Sequence, residues 1–193
     1  MMFICIPFFS IGQQTINDSI NINGIYRSFI TYIPLINQPS EPTPLVFNLH
    51  GMSSNALQQM IYGDFRSIAD TANFIIVHPQ GLLNITGETH WNLGQSSVDD
   101  IGFLNSLYSY IVSNYNINLD KVYSTGMSNG GYMSYFLACN MSDKIAAIAS
   151  VTGAMGSFTQ LNCNPTHPTP VMEIHGTADS NVLFNEIFNG LEY

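Results

Sequence analysis

Ser128 stands among glycines in Gly126-Met127-Ser128-Asn129-Gly130-Gly131, the stretch of this 193-residue chain that best fits a nucleophile turn. A serine at a tight strand-to-helix turn holds its hydroxyl clear of the sheet. Gly126, Gly130 and Gly131 remove side chains that would strike neighbouring backbone. In such a turn the backbone N–H of Asn129, at a helix N-terminus, faces the oxyanion of an acyl-transfer reaction. A second donor is expected from the loop after an earlier strand. Leu49-His50-Gly51-Met52 lies there, which assigns the N–H of Met52 as donor and Gly51 as the position that lets substrate approach. His50 reads as a structural imidazole at a strand end, bonded to backbone. A triad acid follows the serine in chain order, and Asp179, in His175-Gly176-Thr177-Ala178-Asp179, stands in the loop after the last clear strand. Asp99 and Asp100 precede the serine and read as helix caps. Trp91, in a polar loop with His90 and Asn92, is either a platform for substrate stacking or a core residue.

These residues need a scaffold of strands ending on one side, and the pattern supplies one. Short β-rich runs alternate with helical segments, which predicts an α/β fold with a mostly parallel sheet and helices on both faces. Strands are expected at Tyr26 to Ile33, Leu45 to His50, Phe74 to His78, Lys121 to Thr125, Ile145 to Val151 and Val171 to His175. Helices are expected from Ala56 to Ala72 (with Met60, Phe65, Ile68 and Ala69 in the core), from the Asp99/Asp100 cap to about Tyr115, and from the serine turn to about Ala138.

Composition narrows the partners. The chain is 46% hydrophobic, only 9% charged, and carries a formal net charge of −9 with four basic residues. That excludes nucleic acid, disfavours an anionic membrane surface, and favours a neutral substrate. No cluster has metal-ligand spacing and no phosphate-binding glycine loop occurs, so neither a metal nor a cofactor is expected. Residues 1–12 read as a signal peptide that lacks a basic start, or else as a buried N-terminal strand. Residues 13–193 then form one catalytic domain, acting as a monomer. Cys5 would leave with the signal. The remaining pair, Cys139 and Cys163, forms a disulfide in an exported chain or stays as two buried thiols.

Taken as ordered blocks, the chain from about Gly24 to Val182 resembles the exported α/β-hydrolase esterases that include poly(3-hydroxybutyrate) depolymerases and feruloyl or acetylxylan esterases. The resemblance rests on Pro44 to Gly51, Ala69-Asp70, Phe74 to Gly81, Trp91-Asn92, Val98 to Phe103, Gly126 to Gly131, Leu137 to Cys139 and Ile174 to Asp179. It implies a secreted Ser/Asp/His carboxylic ester hydrolase acting on polyesters or on feruloyl and acetyl esters of polysaccharides, with Ser128 and Asp179 matching the family's nucleophile and acid. The family's cysteine placement is similar to Cys139 and Cys163. One departure stands out: the family's histidine lies downstream of the acid, after another strand, whereas all five histidines here precede Asp179. The expectation is a chain lacking its last strand and helix, and poorly active alone. The alternatives are a natural pseudoenzyme, a secreted serine peptidase of the same fold, and a polymer- or glycan-binding module that kept the turn.

Overall fold

The computed structural model describes residues 12–184, so all of the expected signal segment except Gly12 lies outside the described residues. The strands are β1 (Gln14–Ile22), β2 (Ile25–Ile33), β3 (Thr43–Leu49), β4 (Ile75–Pro79), β5 (Leu82–Leu83), β6 (Thr89–His90), β7 (Ile117–Met127), β8 (Ala147–Val151) and β9 (Val171–Ile174). The helices are α1 (Ala56–Tyr62), α2 (Arg66–Ala72), α3 (Asp100–Asn114), α4 (Asn129–Asn140) and α5 (Ser157–Asn162). Seven strands form one sheet in the order β1-β2-β4-β3-β7-β8-β9, while β5 and β6 make a separate hairpin. Within the seven-stranded sheet the β1–β2 and β2–β4 pairings are antiparallel and the others parallel. The carboxyl ends of β3, β7, β8 and β9 therefore lie along one rim, where an open α/β sheet binds ligands.

The main core fills the face covered by α3 and α4. Leu45, Phe47 and Leu49 of β3 and Ile75 and Val77 of β4 meet Phe103, Leu104, Leu107 and Ile111 of α3 and Met133 and Leu137 of α4. Residues of β2 and β4 face α1 and α2 on the other side, where Ile30 packs with Ala56 and Met60, and Tyr32 and Ile76 pack with Ala69. Toward β9 no described residue covers this second face. Val46, Phe65, Ile68, Phe74, Tyr123 and Met172 border an open apolar hollow of about 600 Å³, and Met172 is 61% exposed.

Several boundaries correct the sequence reading. The single helix expected over Ala56 to Ala72 is two helices. Gly63 ends α1, its carbonyl accepting the Asn48 amide at 3.0 Å, and Asp64 bonds the Arg66 N–H at 3.0 Å where α2 begins. Ile68, expected in the core, is exposed, because the second helix turns it toward this hollow. Strand β1 lacks a clear apolar signal in the sequence. Its outward residues are Thr15, Asn17, Ser19 and Asn21, and their polarity masks the inward Ile16, Ile20 and Ile22. Helix α5 was also unexpected. Cys139 at the end of α4 and Cys163 after α5 are joined in a disulfide, with Cα atoms 5.0 Å apart and a sequence separation of 24. By loop-closure entropy such a cross-link contributes about 3 kcal/mol.

His78 on β4 is 1% exposed, and neither ring nitrogen has a partner among the described residues. Burial, aided by Arg66, pushes its pKa down to about 4. The unfolded chain therefore binds a proton that the folded chain refuses, so stability is full above about pH 6.5 and falls as pH drops towards 4. The expected contribution to that fall is on the order of 3 kcal/mol. Urea unfolding of wild type and His78→Phe across this window should show a shallower decline in the variant.

Candidate active site

The serine turn is strained as the sequence requires. Ser128 links β7 directly to α4 and adopts φ 53°, ψ −120°, a region L-residues rarely occupy, at a cost of ~1–3 kcal/mol. Its N–H is held by the Val151 carbonyl of β8 at 2.8 Å. The glycines are needed for close approach. A Cβ on Gly126 would meet the Leu49 carbonyl oxygen at 2.7 Å, and one on Gly130 would overlap that oxygen and meet the His50 carbonyl at 2.8 Å. Helix α4 thus sits against the end of β3, and its first N–H groups, Asn129 among them, have no acceptor within the helix.

That contact places the Gly51 loop beside the serine: a Cβ on Gly51 would lie 3.3 Å from the Met127 carbonyl and 3.7 Å from Ser128 Cβ. His50 is fully buried. Its Nδ1–H donates to the Gly51 carbonyl at 2.7 Å, and its Nε2 accepts the Gly81 N–H at 2.9 Å. One acceptor and one donor fix a single neutral tautomer, and burial lowers the pKa. The Gly51 carbonyl and the Met52 N–H share one trans peptide and point opposite ways, so holding the carbonyl turns the Met52 N–H away from His50. The structural role expected for His50 therefore carries a positioning effect.

Ser128, Asn129, Met52 and Trp91 border one cleft of about 380 Å³, with His90, Leu93, Gln95 and Tyr132. Trp91 takes the core alternative, which corrects the stacking expectation. It is 1% exposed, its indole N–H donates to the His50 carbonyl at 2.9 Å, and its ring lies 4.9 Å from the His50 imidazole. The Asn129 side chain grips the Trp91 backbone, accepting its N–H at 2.6 Å and donating to its carbonyl at 3.2 Å. His90 borders the cleft with Nδ1 3.2 Å from the Leu82 carbonyl, a placement the sequence reading missed because the β5–β6 hairpin is so short.

Asp99 caps α3 through the Gly102 N–H at 2.7 Å, as expected, but Asp100 does not act as a cap. It is buried, pairs with Arg27 at 2.5 Å, and accepts the Asn92 N–H at 2.7 Å. Arg27 also donates to the Gln80 carbonyl at 3.3 Å and stacks over Phe103 at 4.0 Å. This pair ties the cleft's Trp91-Asn92 segment to β2 and α3. Asp100→Ala would leave a buried unpaired guanidinium and should cost ~3–5 kcal/mol in chemical unfolding, much of it recovered in the double variant Arg27→Met/Asp100→Leu.

Asp179 does not border the Ser128 cleft. It follows β9, with β8 between it and the serine strand, on the same rim. Its Oδ1 accepts the N–H groups of Asn181 and Val182 at 2.8 and 3.0 Å, and these bonds keep its pKa below the usual carboxylate range. Among the described residues no group of three His, Cys, Asp or Glu could hold a metal ion.

No family model matches the chain. It is 28% identical over 176 residues to the bifunctional acetylxylan esterase/xylanase XynS20E of Neocallimastix patriciarum, covering 90% of this chain and 24% of that protein. It is 28% identical over 165 residues to feruloyl esterase B of Piromyces equi, covering 82% of this chain and 30% of that one. The chain thus spans less than a third of the length of these two curated relatives. Among solved structures, the acetyl xylan esterase from Aspergillus awamori superposes with a TM-score of 0.70 over 90% of this chain and 75% of that one, at 17% identity, a likeness of fold.

Proposed function

We propose that this chain, an α/β-hydrolase fold related in sequence to feruloyl and acetylxylan esterases, is the nucleophile-bearing part of a secreted serine carboxylic ester hydrolase. The strained Ser128 turn packed against the Gly51 loop carries this reading. Ser128 Oγ attacks the ester carbonyl carbon, the Met52 and Asn129 N–H groups bind the resulting oxyanion, the alcohol leaves, and water cleaves the acyl-serine. An imidazole oriented by Asp179 takes the serine proton and returns it to the leaving alcohol. All five histidines of the chain precede Asp179, and none is assigned that role.

The substrates that fit best are acetyl or feruloyl esters of neutral polysaccharides. The relatives' names point to them, the net charge of −9 disfavours anionic polymers, and Gln95, Ser96 and Tyr132 bring polar groups to the cleft beside Leu93 and Met52. Secretion is supported by the Cys139–Cys163 bond and the apolar N-terminal run.

Loss of a triad histidine costs roughly six orders of magnitude in kcat, so a chain with no base in place should turn over p-nitrophenyl acetate slowly. Imidazole in solution should raise that rate in wild type well above its effect on Ser128→Ala. Equal rates in both proteins would end the serine reading. Fast unaided turnover would show that the base lies within the chain, and preferential cleavage of peptide amides would replace the esterase with a peptidase.

A further inference from the structure

We propose that His175 is held as a doubly protonated imidazolium that clamps the loop bearing Asp179. His175 follows β9 and its side chain is 1% exposed. Nδ1 lies 3.0 Å from Glu173 Oε1, and Nε2 lies 2.7 Å from the Val182 carbonyl. A carboxylate and a carbonyl can only accept. A neutral imidazole has one N–H and one lone pair, so either tautomer would press a lone pair against an acceptor oxygen. Only the cation bonds both. His50 provides the contrast within the same fold, because one of its partners donates and the neutral ring suffices.

The charges facing the ring agree. From β9 comes Glu173, whose other oxygen accepts the Tyr135 hydroxyl of α4 at 3.0 Å. From the loop comes Asp179, with Oδ2 3.6 Å from Nε2. The Phe184 ring packs edge-on at 6.1 Å. Burial alone lowers the His175 pKa, but the Val182 carbonyl, Glu173 and Asp179 outweigh it and hold the pKa above the ordinary histidine value.

The clamp joins the strand end to Val182, seven residues on, and so closes the loop from Gly176 to Asn181. Within it Asp179 Oδ1 is engaged by Asn181 and Val182, which leaves Oδ2 as the oxygen able to receive another group. A carboxylate that must orient an imidazole needs such a fixed direction. This consequence rests on Asp179 being the triad acid, whereas the protonation state does not. Because the folded pKa is raised, the clamp's stabilisation is present below the unfolded value of about 6.5 and is lost as pH rises through the folded value.

The test is long-range proton–nitrogen NMR of the 193-residue chain with ring-15N histidine, recorded from pH 5 to 9. At pH 7 one histidine should show both ring nitrogens at imidazolium shifts. Its titration should lie above that of an ordinary histidine, move down in Glu173→Gln, and be followed by the Asn181 and Val182 amides. Loss of that signal in His175→Gln assigns it, and the Glu173→Gln shift assigns it if the first variant does not fold. A neutral His175 ring at pH 7, or loop amides indifferent to its titration, overturns the clamp. Imidazole-supported ester cleavage by Asp179→Asn separates the two claims: an unchanged rate would remove Asp179 as the acid and leave the NMR result standing.

Discussion

The approach of α4 to the end of β3 governs the rest of the site. With hydrogen at Gly126 and Gly130, the first turn of the helix comes within contact of the Leu49 and His50 carbonyls, and Ser128 is left no conformation but a left-handed one. The chain offsets that strain by bonding the Ser128 N–H to β8 and tying Asn129 to the Trp91 backbone. The same contact brings the Gly51 loop to the serine, so Ser128 and the N–H groups proposed to bind an oxyanion are set by one packing event rather than by two independent loops.

Behind this contact lies a layer of buried polar groups that act through the backbone. His50 holds a peptide plane, Trp91 holds His50, and Asp100 with Arg27 holds the segment that carries Trp91. None needs to touch substrate. The three buried imidazoles show how surroundings decide charge: His50 is neutral between a donor and an acceptor, His78 is kept neutral by burial with no partner among the described residues, and His175 is drawn to the cation by two acceptors.

The serine turn was legible because its glycines stand within six residues, although the backbone they must clear includes the distant Leu49 and His50 carbonyls. The parallel sheet was legible from apolar runs such as Phe74 to His78. Asp100 was not, because its partner Arg27 is 73 residues away and the adjacent Asp99 carries the capping signal on its own. Trp91 was open to two readings because burial belongs to the folded neighbourhood, here the His50 carbonyl 41 residues distant. The break at Gly63 depends on Asn48 of β3 drawing its carbonyl, which helical periodicity does not register.

The most direct measurement is intact-protein mass spectrometry after incubation with a fluorophosphonate, with and without imidazole, followed by peptide mapping. A single adduct on Ser128, formed faster with imidazole and absent in Ser128→Ala, is the predicted result. An adduct that persists in Ser128→Ala, or no adduct even with imidazole present, would contradict it.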